Sequence, residues 1–320
     1  MNIEFSGNIS IEADLVCETG IHIGTQALGI SLGRSDNPIV KLDDDVPYIP
    51  GSSIKGKIRS LLEVSEKKDM NIDIGPEERD ARHECDLDTL CEDLKSKGFE
   101  AEMKEDERKE IEIKKNGKSA KIYMKGGEPE IEGELKEELR KVIEELPFPC
   151  DICVIFGRGA ERKGSEGPTR IQFEDCFIDP KNQIKDPIEI KWENVISRLT
   201  SSAVPRDIER IKKGTVFKLK ATYHIFSEDL DGEGDIEKLQ EIQEIEQLPA
   251  KLKRRIKLLS KGMELLEKNY LGGMGSRGYG KVRVENLTMR YYPKSFFEGK
   301  GEVKTIANAK NVMEIIKRLC

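Results

Sequence analysis

The sequence predicts an α+β fold, a βαββαβ core interrupted by large insertions. Three observations lead there. Apolar and polar residues alternate with period two at the N-terminus and again over 217–225, which marks half-buried strands. Two stretches, 50–63 and 249–269, carry apolar residues at helical spacing. Between them, residues 66–146 lose both patterns and fill with Glu and Lys, as an insertion into a core would.

In chain order, Ile3, Phe5, Ile9, Ile11, Ala13 and Leu15 give the first strand. Residues 17–50 mix glycines, prolines and acids with little periodicity and predict mostly loop with short strands. "PGSSIKGKIRSLLE" opens a helix that Ser52 or Ser53 caps, with Ile54, Ile58, Leu61 and Leu62 on its apolar face. For 66–146 the expectation is a charged, mostly helical subdomain, with short helices near 77–97 and 133–146 and a hairpin near 110–125. Ile171, Phe173 and Phe177 mark a strand bulged between the last two, and 192–214 reads as a polar, basic arm. Phe217, Leu219, Ala221, Tyr223 and Ile225 alternate as a strand, and "SEDLDGEGD" is an acidic turn or loop.

The strongest helix, 249–269, lines up Leu252, Ile256, Leu259, Met263, Leu266 and Tyr270 on one face. Lys251, Lys253, Arg254, Arg255, Lys257 and Lys261 occupy the other. Val282, Val284, Leu287, Met289 and Tyr291 make a last strand whose phase slips near Asn286, and "NAKNVMEIIKRLC" ends as a short outer helix. The domain plan is a discontinuous core at 1–65 and 147–292, an insert at 66–146, an arm at 192–214 within the core and a tail at 293–320. This order fits a ferredoxin-like (RRM-like) core, an architecture many RNA binders use, although fold alone does not set function.

The 320 residues suffice for one large or two modest domains. No uninterrupted apolar run nears the ~20 residues of a membrane span. The N-terminus lacks the basic start and apolar run of a signal peptide, so a soluble, cytoplasmic protein is expected. Seven cysteines, an odd number, argue against a secreted disulfide framework and leave metal binding open. The net charge of −7 looks hostile to nucleic acid, but it is unevenly spread. Residues 66–146 hold 26 acidic and 17 basic side chains, net −9, and the remaining 35 acidic and 37 basic residues net +2. The acidity belongs to the insert, and the rest is able to carry a basic surface.

"GGMGSRGYG", Gly272 to Gly280, contains the Gly-x-Gly-x-x-Gly pattern of dinucleotide sites. Those sites need a strand before and a helix after, so that the pyrophosphate rests on the helix N-terminus. Here the order is reversed, and no Walker lysine follows. Five glycines in nine residues, Gly273 and Gly275 among them, exceed what a plain turn needs, and Ser276, Arg277 and Lys281 add polar and positive groups. Contact with a polynucleotide backbone is the better reading. Lys55 and Arg59 share a face of the first helix, and Arg198, Arg206, Arg210, Lys212 and Lys213 sit in the arm. Each, taken alone, is more simply a solvated surface. His83-x-Cys85 and Cys150-x-x-Cys153 bracket the weakly apolar insert and suit a tetrahedral structural Zn²⁺, with Cys91 as a spare ligand. Asp36 before Asn37-Pro38, and His22, are on spacing alone a turn residue and a structural histidine.

Taken together, "ETGIHIG" (18–24), "SDNPIV" (35–40), "YIPGSSIKGKIRSLLE" (48–63), "CDICVIFG" (150–157), "ISRLTSSAVPRDIER" (196–210) and "NYLGGMGSRGYGKV" (269–282) resemble the RAMP superfamily. Within it, the resemblance is to the repeated backbone subunits of type III-A (Csm) CRISPR effector complexes. It implies copies of the subunit lined up along a crRNA together with other subunits of the complex, with no membrane partner. It places His22, Ser52, Ser53, Lys55, Lys57, Arg59 and the loop around Arg277 on the guide, makes 192–214 a thumb-like arm, and makes the insert a helical lid. It also implies endoribonuclease cleavage of the paired target RNA that depends on Asp36 and Mg²⁺ and leaves a 2′,3′-cyclic phosphate and a 5′-hydroxyl. Asp36 would position the 2′-hydroxyl, the scissile phosphate or the metal. The alternatives are a purely structural RNA-binding scaffold and a stand-alone RAMP endoribonuclease, for which His22 would be the general base.

Overall fold

The thirteen alternating residues Phe5–Cys17 form β1, with Ile9, Ile11, Ala13 and Leu15 pointing into the core. The structure, a computed structural model, describes residues 4–25, 37–42, 45–68, 71–72, 81–82, 85, 87–105, 109–125, 128–145, 150–157, 168–182 and 184–320. Asp36 and His83 lie outside the described residues, as does the loop 158–167. The chain divides into two compact units, Glu63–Ile171 and a larger one made of Glu4–Leu62 with Gln172–Cys320.

After β1, four isolated bridges pin the irregular 17–50 stretch: Ile21 to Ile211, Gly24 to Ile39, Lys41 to Pro47, and Ile49 to Cys176. Helix α1 (Gly51–Ser65) buries Ile54, Ile58 and Leu62, as its spacing predicts. Its start corrects the expectation. The helix begins at Gly51, so Ser52 and Ser53 lie in its first turn rather than at the cap. The Pro50 carbonyl accepts from the Ser53 and Ile54 amides, and the Asp175 carboxylate accepts from the Gly51 amide at 2.8 Å.

The smaller unit starts with the two-residue strands β2 (Asn71–Ile72) and β3 (Ala81–Arg82), which pair with each other, and helix α2 (Leu87–Ser96). An antiparallel meander follows: β4 (Glu100–Glu105), β5 (Lys109–Lys115), β6 (Lys118–Lys125) and β7 (Glu128–Gly133). Helices α3 (Lys136–Glu145) and α4 (Asp151–Phe156) complete it. The expectation of a mostly helical insert is therefore wrong in kind. Glu and Lys at alternate positions hid the strands: Ile111, Ile113, Ile122 and Ile131 are buried, while Glu112, Lys121 and Glu132 sit in register on the other face. The hairpin expected near 110–125 is present, and Asn116-Gly117 turns it with φ of 51° and 77°, the signature of a tight primed turn. Leu90 and Leu94 of α2 and Leu139 and Ile143 of α3 are buried in this unit.

The larger unit resumes with β8 (Ile171–Phe173) and β9 (Phe177–Ile178), two short strands on β12 where one bulged strand was expected. Next come β10 (Ile188–Ile196) and β11 (Ala203–Ile211), a nine-on-nine antiparallel hairpin covering the arm. The arm is less polar than its sequence suggests: Ile190, Trp192, Ile196 and Leu199 are exposed on it. Pro205 is tolerated because a two-stranded ribbon has a free edge on each strand. Strand β12 (Val216–Phe226) pairs with β1, and a 3₁₀ turn leads to α5 (Glu233–Glu241) and the long α6 (Ala250–Lys268).

α6 buries the six-residue apolar face except for half-buried Tyr270, which lies just past its end, and Ile58 and Leu62 of α1 fill the space a side chain at Gly262 would take. Arg255, expected on the basic outer face, is instead buried in an ion pair with Asp229, which also accepts from the Phe226 amide at 2.8 Å. β13 (Val282–Pro293) pairs with the other side of β1, and the phase slip appears as a register shift opposite Glu12/Asp14 with Asn286 at φ 53°. After the short α7 (Lys294–Phe297), the tail adds a strand, β14 (Lys304–Asn311), to β13 before α8 (Val312–Arg318) packs on α6. The sheet order is β14-β13-β1-β12-β8, with β9 also on β12. The fold is mixed α and β. Among the described residues no helix is long and apolar enough to cross a membrane.

Candidate nucleic-acid interface and thiol cluster

The glycine loop leaves α6 through Tyr270 and re-enters the sheet at β13. Backbone bonds tether it to the 20–22 segment: the Gly273 amide donates to the His22 carbonyl (2.8 Å) and the Gly280 amide to the Gly20 carbonyl (2.9 Å). A single 3₁₀ turn, Gly275–Arg277, forms its apex, with Ser276 and Arg277 exposed. Gly275 rests directly on the Tyr270 ring, where a Cβ would fall 2.1 Å from Cγ. The Lys57 ammonium of α1 lies 3.8 Å from the centroid of that same ring. One tyrosine thus brings the first helix and the glycine loop together.

His22 is nearly buried beneath the loop, and its Nδ1–H donates to the Glu209 carbonyl of β11 at 2.8 Å. The other ring nitrogen, Nε2, lies beside Gly24. Burial pushes the Lys55 ammonium down from its ordinary value, and the adjacent Arg59 charge adds to this. Burial also lowers Lys57.

The foot of the arm meets the other end of the loop. The Tyr279 hydroxyl donates to Glu193 of β10 (2.7 Å), as does Lys191 (2.9 Å), and Arg277 reaches the second Glu193 oxygen at 3.4 Å. These partners, Lys191 first, hold the Glu193 carboxyl below its usual range. Lys191 and Arg210 both lie near the Tyr279 ring, at 4.5 and 5.1 Å, and Arg210 is fixed by Glu189 at 2.6 Å. Asn37, the residue after Asp36, accepts at its carbonyl from the Glu209 amide of β11 (3.2 Å), and the Glu209 carboxylate binds the Ile39 amide and Lys41.

The structure therefore gathers His22, Lys57, Gly273, Gly275, Arg277 and Arg210 around one loop. Ser52 is exposed on α1, Arg206 is exposed along β11, and Arg198 stands in the turn at the far end of the hairpin. The Lys281 backbone serves Glu18 and Thr19. Sequence reading missed Tyr270, Tyr279, Lys191 and Glu193. The only available signal was that a tyrosine stands at each end of the glycine run.

In the smaller unit, the sulphurs of Cys85, Cys150 and Cys153 lie within 4.8 Å of one another, all buried. The Cys85 amide donates to the Cys153 sulphur and the Cys150 amide to that of Cys85, at 3.3 and 3.4 Å. Cys-x-x-Cys supplies two of the three sulphurs because α4 starts between them. A tetrahedral site with Zn–S of about 2.3 Å needs sulphurs about 3.8 Å apart, so the trio fits. Cys91 is buried on α2 but is not one of the three.

A model of the RAMP superfamily matches residues 14–283. The chain belongs to the RAMP superfamily. Among its relatives, this RAMP chain is 27% identical to the "CRISPR system Cms endoribonuclease Csm3" of Methanothermobacter thermautotrophicus, with 98% of each chain covered. It is 28% identical to the protein of the same name from Methanocaldococcus jannaschii, covering 93% of this chain and 87% of that one. A solved structure, the Csm3–Csm4 subcomplex in the type III-A CRISPR-Cas interference complex, is 22% identical with a TM-score of 0.48, covering 98% and 96%.

Proposed function

We propose that this RAMP chain is the repeated backbone subunit of a type III-A CRISPR interference complex, binding crRNA along its sugar-phosphate backbone and cleaving the paired target RNA at intervals. The observation that carries it is the convergence of α1, through Lys57 and Tyr270, and the arm, through Tyr279, on the two ends of a glycine loop with Arg277 exposed at its apex. A sequence-independent backbone is met by main chain that allows close approach together with cations that face phosphate. The core is read as ferredoxin-like, with β1-α1-β8-β12-α6-β13 as its βαββαβ. The central place of β1 between β12 and β13 supports this. The β10–β11 hairpin is the thumb-like arm and the smaller unit the lid.

Cleavage is assigned to Asp36, one residue before the Asn37–Lys41 stretch fastened to β11. A carboxylate there would position the target's 2′-hydroxyl or its phosphate, and Mg²⁺, when bound, would neutralise charge on the phosphate. Reconstitution with a crRNA and a matching target tests this. Asp36→Ala is expected to abolish target cleavage while leaving assembly and RNA binding intact. Unchanged cleavage would move catalysis elsewhere and leave the scaffold reading. The thiol trio is assigned structural Zn²⁺, with His83 as fourth ligand.

A further inference from the structure

Glu193 is out of place on an RNA-binding rim. Its cross-strand partner in the arm is Arg206, a candidate phosphate contact, and its second oxygen faces Arg277 of the glycine loop, so a negative charge stands among cations that an RNA backbone would need. By itself it weakens anion binding at both. Its geometry offers the compensation. The side chain is only 16% exposed, and both oxygens are engaged: one takes Lys191 and Tyr279 at 2.9 and 2.7 Å, the other takes Arg277 at 3.4 Å. Tyr279 is buried, and its ring is flanked by Lys191 from β10 and Arg210 from β11. Both strands of the arm are thus fixed to one loop residue, and Glu193 accepts the hydrogen bond from that residue's hydroxyl.

We propose that Glu193 is a positioning residue that locks the foot of the arm to the glycine loop, so that Arg206 and Arg277 meet one RNA backbone as a single pre-set surface. The inference rests on the RNA-binding reading above. The contacts divide by strength. The two short bonds, to Tyr279 and Lys191, keep the lock. The 3.4 Å contact to Arg277 is weak enough to be exchanged for a phosphate without opening it. Pre-organisation of this kind lowers the entropy lost on binding rather than adding contacts.

The test uses the full-length chain, with a homopolymeric single-stranded RNA as probe, and compares wild type with Glu193→Gln. The substitution keeps the shape and a hydrogen-bond acceptor but removes the charge. Affinity is expected to weaken about tenfold, the size of one lost charge-assisted bond. In the wild type the effects of Arg206→Ala and Arg277→Ala should be coupled, and in the Glu193→Gln background they should become independent. A second readout needs no RNA. Trp192, the chain's single tryptophan, neighbours Glu193 on β10, so its fluorescence anisotropy reports the arm's mobility and is expected to fall in the variant at an unchanged melting temperature. Equal or tighter RNA binding by Glu193→Gln would overturn the proposal and make Glu193 a simple repelling charge, and so would unchanged anisotropy. A wild type that binds no RNA, with anisotropy still falling in the variant, would overturn the RNA reading and reduce the lock to a packing contact.

Discussion

Tyr270 shows how a single side chain joins two motifs that the sequence keeps more than 200 positions apart, with Lys57 over its ring and Gly275 against it. Gly275→Ala puts a methyl into that ring, so the loop has to lift. The expected cost is about 1–3 kcal/mol of stability, as for overpacking elsewhere, with RNA affinity falling more steeply than for Ser276→Ala at the exposed neighbouring position. Thermal melts and RNA titrations of the two variants check this, and equal behaviour of the two would contradict it. At this scale the sequence was half legible. It displayed the glycine run and its cations, because composition is local. It could not display Glu193 with Tyr279, which lie 86 residues apart and meet only when the arm folds back. Nor could it show that the Asp175 carboxylate, from 124 residues away, would accept the first amide of α1 in place of Ser52 or Ser53.

Elements were legible where one face is apolar at a clean period. β1, α1, α6, β12 and β13 all follow their patterns, down to the slip at Asn286. They were illegible where charge fills the alternate positions, as in β4–β7, or where the apolar half of the pattern is exposed, as in β10 and β11. β14 was missed because its inward residues, Ile306 and Ala307 with half-buried Ala309, are small or out of strict alternation. Arg255 shows the opposite error: a residue in a basic run looks solvated until Asp229, 26 positions earlier, is found buried against it. Asp229→Ala takes a buried carboxylate away from that guanidinium and is expected to cost about 3–5 kcal/mol. Replacing both partners with apolar residues of similar volume should recover much of the loss. Chemical denaturation of the single and double variants measures both, and a loss below 1 kcal/mol for the single change would mean that water reaches Arg255.

The whole molecule divides its chemistry between its two units. The larger spans every position assigned to RNA, and the smaller holds the thiol trio and the net negative charge of the insert. The smaller unit has a modest apolar core, so metal binding there is folding energy for that unit. Elemental analysis of protein purified without chelators is expected to find one Zn²⁺ per chain. Cys153→Ser, or a strong chelator, should lower the melting of the 63–171 unit selectively, while the Tyr279–Glu193 contacts that Trp192 reports stay in place. Metal-free protein with an unshifted melt would remove the site.

β14 has a wider consequence. For a subunit proposed to stand in a row with copies of itself, an open sheet margin is a ready way to acquire an unchosen contact. This sheet ends on an eight-residue strand bearing exposed Asn308 and Lys310, with Lys304 tied back to the Gln240 carbonyl. Lysine at a margin discourages a second strand from zipping on. β14 is thus a selvedge, a finished margin that discourages a further strand from joining the sheet.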